Sequence, residues 1–309
     1  MLDNKKMNGI AISKILYDEL RTYVTKQNKG TPKMIDLSIG DDLGGQVYAN
    51  MKKKKIENET GFLFESVHYD NISYVDLLNI IKKYNEDNDI YGIMLQLPLT
   101  KQLQIFERQI LDSIDKNKDV DGLTSISMGK LVVGNEGFIP CTPKGIIALL
   151  KAYDVNLDGA KVCIINRSNI VGKPLEQLFL RENATTTVCH SHTKDLQSIA
   201  SQADIVVAAL NQREFITSDF IKDGAVVIDV GVYKTKDGVI VGDVKYDDVY
   251  EKAALITPPT GCVGVMTICM LAYNLALSYY GNKINDVLNS GIEKAKVKKY
   301  TRKKGGLIM

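Results

Sequence analysis

Apolar residues recur at helical spacing near the start of the chain. Ile12, Ile15, Leu16, Leu20 and Val24 predict an amphipathic helix over residues 10–26. A short apolar run from Met34 to Ile39 then stops at Gly40 and reads as a strand. A charged helix is expected over 46–60 and a second strand over 62–67. Ser73 and Asp76 resemble a capping box, with an oxygen acceptor and an acid set over the unpaired amides of a helix start. That helix carries Leu77, Leu78, Ile80 and Ile81, and a third strand over 91–96 is stopped by Pro98.

The alternation resumes after residue 145. The runs 161–165, 185–189, 205–208 and 225–230 have the continuous apolar character of parallel strands buried on both faces, with helical segments between them. Strand alternating with helix implies an α/β fold. The apolar stretch 267–280 predicts a final helix that packs across a domain boundary.

Composition narrows the reading. With 309 residues, the chain has room for two domains of ordinary size. Lys plus Arg number 39 against 37 Asp plus Glu, a balance that argues against a dedicated nucleic-acid or membrane-surface protein. The N-terminal stretch carries charges where a signal peptide needs an apolar core, so a cytoplasmic protein is expected. Five cysteines without CxxC spacing read as reduced core residues, not as a disulfide or zinc framework. The basic end of the chain reads as a solvated tail.

Chemistry concentrates at a few places. The strand at 161–165 runs into Asn166, Arg167 and Ser168, and Gly172 opens the next helix. A turn of this kind offers free amides and a positive helix end to a phosphate. Only one glycine of a GxGxxG fingerprint is present, so spacing alone is a weak signal. The next strand ends in Cys189, His190 and Ser191, without the acid that an NAD ribose calls for. Arg167 and Ser191 can instead serve a 2′-phosphate, which favours NADP; the plainer reading is a surface arginine and a loop serine. His190 and His192 lack further ligands at metal spacing, so no metal is expected.

In the first half, Tyr48 and Lys52 are four apart on a predicted helix and share a face. A lysine serves as acid or base near neutrality when burial or a positive neighbour perturbs it. By residue type alone, Lys52 to Lys55 read first as a solvated charge run. Gln96 falls at a strand end, where open α/β sheets bind ligands. Asp121 before Gly122 suits either a turn or the amino-pyrimidine edge of a ligand.

Taken together, these segments resemble the bifunctional methylenetetrahydrofolate dehydrogenase/methenyltetrahydrofolate cyclohydrolase family. The matching pieces are Tyr48 with Lys52, GIMLQLPL at 92–99, KDVDG at 118–122, PCTPKG at 140–145, RSNIVGKP at 167–174 and NATTTVCHSHTK at 183–194. DVGV at 229–232, GDV at 242–244 and the 257–267 segment continue the series in the family's order.

The resemblance implies two α/β domains flanking a cleft, the second a Rossmann-type parallel sheet. Residues 1–145, completed by a helix at 267–285, would bind folate; 146–266 would bind NADP; 286–309 would be the tail. It also implies oxidation of 5,10-methylenetetrahydrofolate and hydrolysis of the methenyl product to 10-formyltetrahydrofolate, a step in one-carbon metabolism that feeds purine biosynthesis, carried out by a homodimer. Lys52 would move protons, Gln96 would position it, Tyr48 would stack on the p-aminobenzoyl ring and Asp121 would anchor the pterin. Arg167 and Ser191 would hold the 2′-phosphate, and Asn166, Ser168 and Val232 match other cofactor contacts.

The chain departs from the family pattern at Gly45, Thr124, Ser127, Asn166, Asn211, Arg213 and the 257–267 loop. Two other readings stay open on those departures: a member with one of the two activities, and a non-catalytic folate- or nucleotide-binding protein.

Overall fold

Three parallel strands form the first sheet: β1 (Lys33–Ile39), β2 (Leu63–Tyr69) and β3 (Ile90–Leu95), in the order β2-β1-β3. The computed structural model describes residues 5–40 and 43–297. As the central strand, β1 buries Met34, Ile35 and Leu37 completely, as expected of a parallel strand covered on both faces. Helices Gly9–Gln27 and Leu43–Thr60 precede and follow it. Helix Tyr74–Glu86 starts at the expected cap, where Ser73 Oγ accepts from Asp76 N at 3.1 Å and donates to Asp76 Oδ2 at 2.6 Å.

The second sheet is also parallel. Its strands are β4 (Lys161–Ile165), β5 (Thr185–Cys189), β6 (Ile205–Ala208) and β7 (Val226–Asp229), followed by a small antiparallel pair of β8 (Tyr233–Lys234) with β9 (Ile240–Val241), and then β10 (Leu255–Ile256). The order is β10-β7-β6-β4-β5, so the chain runs outward from β4 to β5 and then returns to the other side of β4. This reversal is where a doubly wound sheet opens a crevice beyond the carboxyl ends of its strands. The first sheet reverses at β1 in the same way.

Helix Val263–Tyr280 joins the halves. It begins four residues earlier than the sequence pattern placed it. It is long and apolar enough to cross a membrane by length and composition, yet 67% of it is buried inside the protein as a core helix. Its polar groups bind to backbone on the first half: Tyr273 Oη donates to Leu16 O at 2.7 Å, and Ser278 Oγ to Tyr91 O at 2.6 Å. Asn274 Nδ2 donates to Val120 O at 2.8 Å and Ile139 O at 2.9 Å, while its Oδ1 accepts from the buried Lys144 Nζ at 2.8 Å. The approach is close enough that a Cβ on Gly92 would meet Leu275 Cδ1 of this helix at 3.1 Å.

The end of the chain differs from the expected tail. Residues Lys283–Ala295 form another helix, with Ile284, Leu288 and Ile292 buried and Lys294 paired to Glu19 at 2.6 Å. The apolar spacing of four is present in the sequence; the density of lysines hid it. Residues 298–309 of the expected tail lie outside the described residues. All five cysteines are buried and free.

Candidate functional site

At the reversal of the first sheet the site is built around a buried ion pair. Lys52 faces inward from its helix and is 1% exposed, while Lys54 on the same helix is exposed. Its Nζ lies 3.2 Å from Asp36 Oδ2, itself 1% exposed, and 3.5 Å from Met94 Sδ. Asp36 and Met94 are register partners on β1 and β3 and so project from neighbouring positions. Gln96, one residue beyond β3, donates its Nε2 to Asp36 Oδ1 at 2.9 Å and Oδ2 at 2.8 Å. Tyr48, one turn before Lys52, places its ring centroid 5.4 Å from the ammonium. Thus Tyr48, Lys52 and Gln96 meet in one place, as the sequence reading expected.

Burial or a positive neighbour was the expected route to an activated lysine. Here Lys52 is buried, but its closest charged neighbour is a carboxylate. Asp36 itself was missed. The available signal was an acid inside the apolar run of a central strand, a position that demands a partner.

The two acids of the 118–122 motif divide their work. Asp119 is 1% exposed and accepts from the backbone of Leu123 at 3.1 Å and Thr124 at 2.9 Å, which holds the loop. Asp121 lies beside Cys141 and near Lys52. Burial pushes its carboxyl up to about 6, with Lys52 opposing that rise and Asp119 adding to it. Thr124, one of the departures from the family pattern, caps the next helix by accepting from Ser127 N at 3.2 Å.

A cavity of about 690 Å³ opens at the carboxyl ends of β4, β5 and β6. Asn166, Arg167, Ser168 and Ser191 all line it, together with His190. No Asp or Glu is among the described residues lining it. A guanidinium and hydroxyls without a carboxylate suit a phosphorylated ribose better than a bare one. The cavity's size, its place at the sheet reversal and its donor set therefore fit NADP. Val232 is 63% exposed and does not line this cavity.

The expectation of free amides at the 166–172 turn is corrected. Asn166 Oδ1 accepts from Ser168 N at 2.7 Å and Gly172 N at 3.0 Å, and its Nδ2 donates to Ala209 O at 2.6 Å. Ser168 Oγ accepts from Val171 N at 3.1 Å. The side chains of the turn thus satisfy its own helix start. Packing is tight, since a Cβ on Gly172 would fall 2.1 Å from Asn166 O. Asn211, another departure, adopts a left-handed φ of 58°, which asparagine tolerates better than most residues.

The 229–232 and 242–244 motifs brace this region. Asp229 accepts from the amides of Gly231, Asp243 and Val244, each at 3.0 Å. Asp243 in turn accepts from Leu210 N and Gln212 N at 2.8 Å and from Tyr233 Oη at 2.7 Å. These carboxylates hold the loop after β6 against the cavity.

A doubly wound sheet with a cavity at its reversal, joined to a smaller α/β unit holding a buried lysine, defines the class of two-domain dinucleotide-dependent dehydrogenases. Residues 7–121 match the family model of the tetrahydrofolate dehydrogenase/cyclohydrolase catalytic domain, and residues 140–283 match that family's NAD(P)-binding domain. The chain belongs to the tetrahydrofolate dehydrogenase/cyclohydrolase family. It is 46% identical to the bifunctional protein FolD of Clostridium novyi over 274 residues, covering 87% of this chain and 97% of that protein. Among solved structures it is similar to the bifunctional FolD of Campylobacter jejuni, with 38% identity, a TM-score of 0.83, and coverage of 88% and 97% of the two chains. The Trypanosoma brucei FolD complexed with NADP cofactor and inhibitor has 31% identity, a TM-score of 0.83, and coverage of 91% and 98%.

Proposed function

We infer that this chain oxidises 5,10-methylenetetrahydrofolate with NADP and hydrolyses the methenyl product to 10-formyltetrahydrofolate. The observation that carries the reading is the cluster of Tyr48, Lys52 and Gln96 at one sheet reversal, in a chain whose halves match the family's catalytic and NAD(P)-binding domains. The retained cluster also argues for the hydrolytic activity against a chain that keeps only the dehydrogenase or only binds.

In this reading residues 1–145, completed by the helix that spans 267–280, hold the folate, and 146–266 hold the cofactor. Bound NADP supplies the hydride acceptor. The protein's task in that first reaction is to hold two ring systems face to face. Tyr48 stacks on the p-aminobenzoyl ring and Asp121 anchors the pterin edge. A carboxyl that titrates at about 6 is largely ionised at neutral pH and accepts from amino-pyrimidine N–H groups. Arg167 and Ser191 hold the 2′-phosphate, and Ser168 contacts the phosphates, while Asn166 keeps their loop in shape. Val232 approaches the cofactor from the exposed side of the 230–233 loop.

In the hydrolytic step water adds to the methenyl carbon and its oxygen gives up both protons as it becomes the formyl oxygen; one is released to solvent, and the other balances the proton that a ring nitrogen gains as its bond to that carbon breaks. The Lys52 ammonium is the donor at that position, and Gln96 fixes its geometry through Asp36. The working assembly is a cytoplasmic homodimer.

Lys52→Gln tests the assignment. Its expected outcome is a loss of methenyl hydrolysis of about 100-fold or more, the scale of a general acid or base. NADP binding, read by calorimetry, should stay within about twofold, because Lys52 lies on a helix that packs on the other sheet. Unchanged hydrolysis would remove Lys52 from the chemistry.

A further inference from the structure

We propose that Asp36 is a positioning residue of the hydrolytic step: it keeps Lys52 as the proton donor, fixes the amide of Gln96 and balances charge beside the methenyl cation. The proposal rests on the functional reading above.

Three donor contacts converge on this carboxyl group: one from Lys52 and two from Gln96. Every partner gives a hydrogen and none needs one, so the group is a carboxylate. A buried carboxylate and a buried ammonium at 3.2 Å form a pair whose members cannot easily be parted. The same carboxylate decides which way Gln96 faces. Its nitrogen must point to Asp36, because a carboxylate only accepts, and its oxygen is therefore turned away from Asp36.

Charge gives the second half of the argument. The methenyl intermediate is a cation, and a lone buried ammonium beside it repels it. The groups facing Lys52 are Asp36 from β1, Asp121 from the loop that precedes helix Ser125–Val133 and Tyr48 from its own helix; Asp119 and Cys141 act on Asp121 in turn. Of these, Asp36 alone is an acid with an ion-pair contact to the ammonium. It makes the pair neutral, so a cationic ring can be held within reach of a proton donor. The first reaction forms that same cation as hydride leaves the methylene bridge, so charge balance serves both reactions. The proton donation that Asp36 upholds belongs to hydrolysis alone.

The test compares Asp36→Asn, which keeps shape and removes charge, with Asp36→Val, which also removes the acceptors. Thermal melts first confirm that each variant folds. Methenyltetrahydrofolate is then supplied directly and its loss followed from about pH 6 to 9. The expected result for Asp36→Asn is a fall in kcat for hydrolysis of at least about tenfold, with KM within about threefold. The alkaline limb of the kcat profile should also move to lower pH, because the negative neighbour of the ammonium is gone.

A second readout needs no substrate. In protein labelled with 15N at lysine, the Lys52 Nζ signal, assigned with Lys52→Arg, should titrate at lower pH in Asp36→Asn than in the wild-type chain. Wild-type hydrolysis and an unmoved pH profile in both Asp36 variants would overturn the proposal and leave the function standing. An unmoved Nζ titration would overturn it as well. A wild-type chain that never hydrolyses the methenyl substrate, beside an Nζ signal that does move in Asp36→Asn, would overturn the functional reading, and the role of Asp36 with it.

Discussion

Lysines 52 to 55 follow one another on a single helix, and only Lys52 is fully buried among them. The step of 100° per residue that separates them is enough to set an ion pair in the core and leave Lys54 in water. Asp121 shows the opposite balance at the same scale. Burial holds its carboxyl at about 6, above an ordinary aspartate near 4. Between those values the native protein keeps a proton that the unfolded chain has released. Stability therefore falls as pH rises through that window, and the full penalty is present above it. Asp121→Asn should raise the melting temperature at about pH 7.5, a gain on the order of 2 kcal/mol that vanishes near pH 4, while folate turnover drops. Equal melting shifts at both pH values would contradict this account of Asp121. Tyr48, Lys52, Gln96 and Asp121 were candidates in the sequence through the family resemblance that their motifs carry, since by residue type alone Lys52 reads as part of a solvated charge run. Asp36 was not, since nothing local tells which distant side chain will meet an acid in a strand.

At the scale of elements, the turn between β4 and helix Gly172–Arg181 is held by one side chain. The Asn166 carboxamide makes three hydrogen bonds, two within the turn and one to the end of β6. Asn166→Ala removes all three and loosens the floor of the cofactor cavity. The expected outcome is a severalfold rise in KM for NADP with little change in folate KM, measured by steady-state kinetics. A fall in KM for NADP would mean instead that the carboxamide competes with a phosphate for the amides. Strands β4 to β7 were readable here from apolar runs alone, whereas the two-residue strands β8, β9 and β10 are too short to leave such a run. The self-capped turn was not, because a glycine-poor loop does not say where an asparagine side chain will reach. The last helix was hidden for a different reason: lysines on its wet face mask buried residues four apart.

Across the whole molecule, helix Val263–Tyr280 carries the joint between the two sheets. Asn274 serves two backbone carbonyls of the first half and the buried ammonium of Lys144, whose proton affinity burial lowers to about 8. Asn274→Leu strands all three groups away from water, so a loss of about 3 kcal/mol or more is expected, read as a drop in midpoint on chemical denaturation. A midpoint within error of wild type would show that the joint lies elsewhere. The sequence marks this helix as apolar and long; its polar contacts depend on loops more than a hundred residues away. The central claim concerns both halves at once, with one folate moving through two reactions beside one cofactor cavity. The direct measurement is to mix purified protein with 5,10-methylenetetrahydrofolate and NADP and follow reduced cofactor, methenyl product and formyl product together. The account gives reduced cofactor and 10-formyltetrahydrofolate in equal amounts from the wild-type chain, and accumulation of the methenyl product with Lys52→Gln. Reduced cofactor without formyl product from the wild-type chain, or no turnover with NADP, would contradict it.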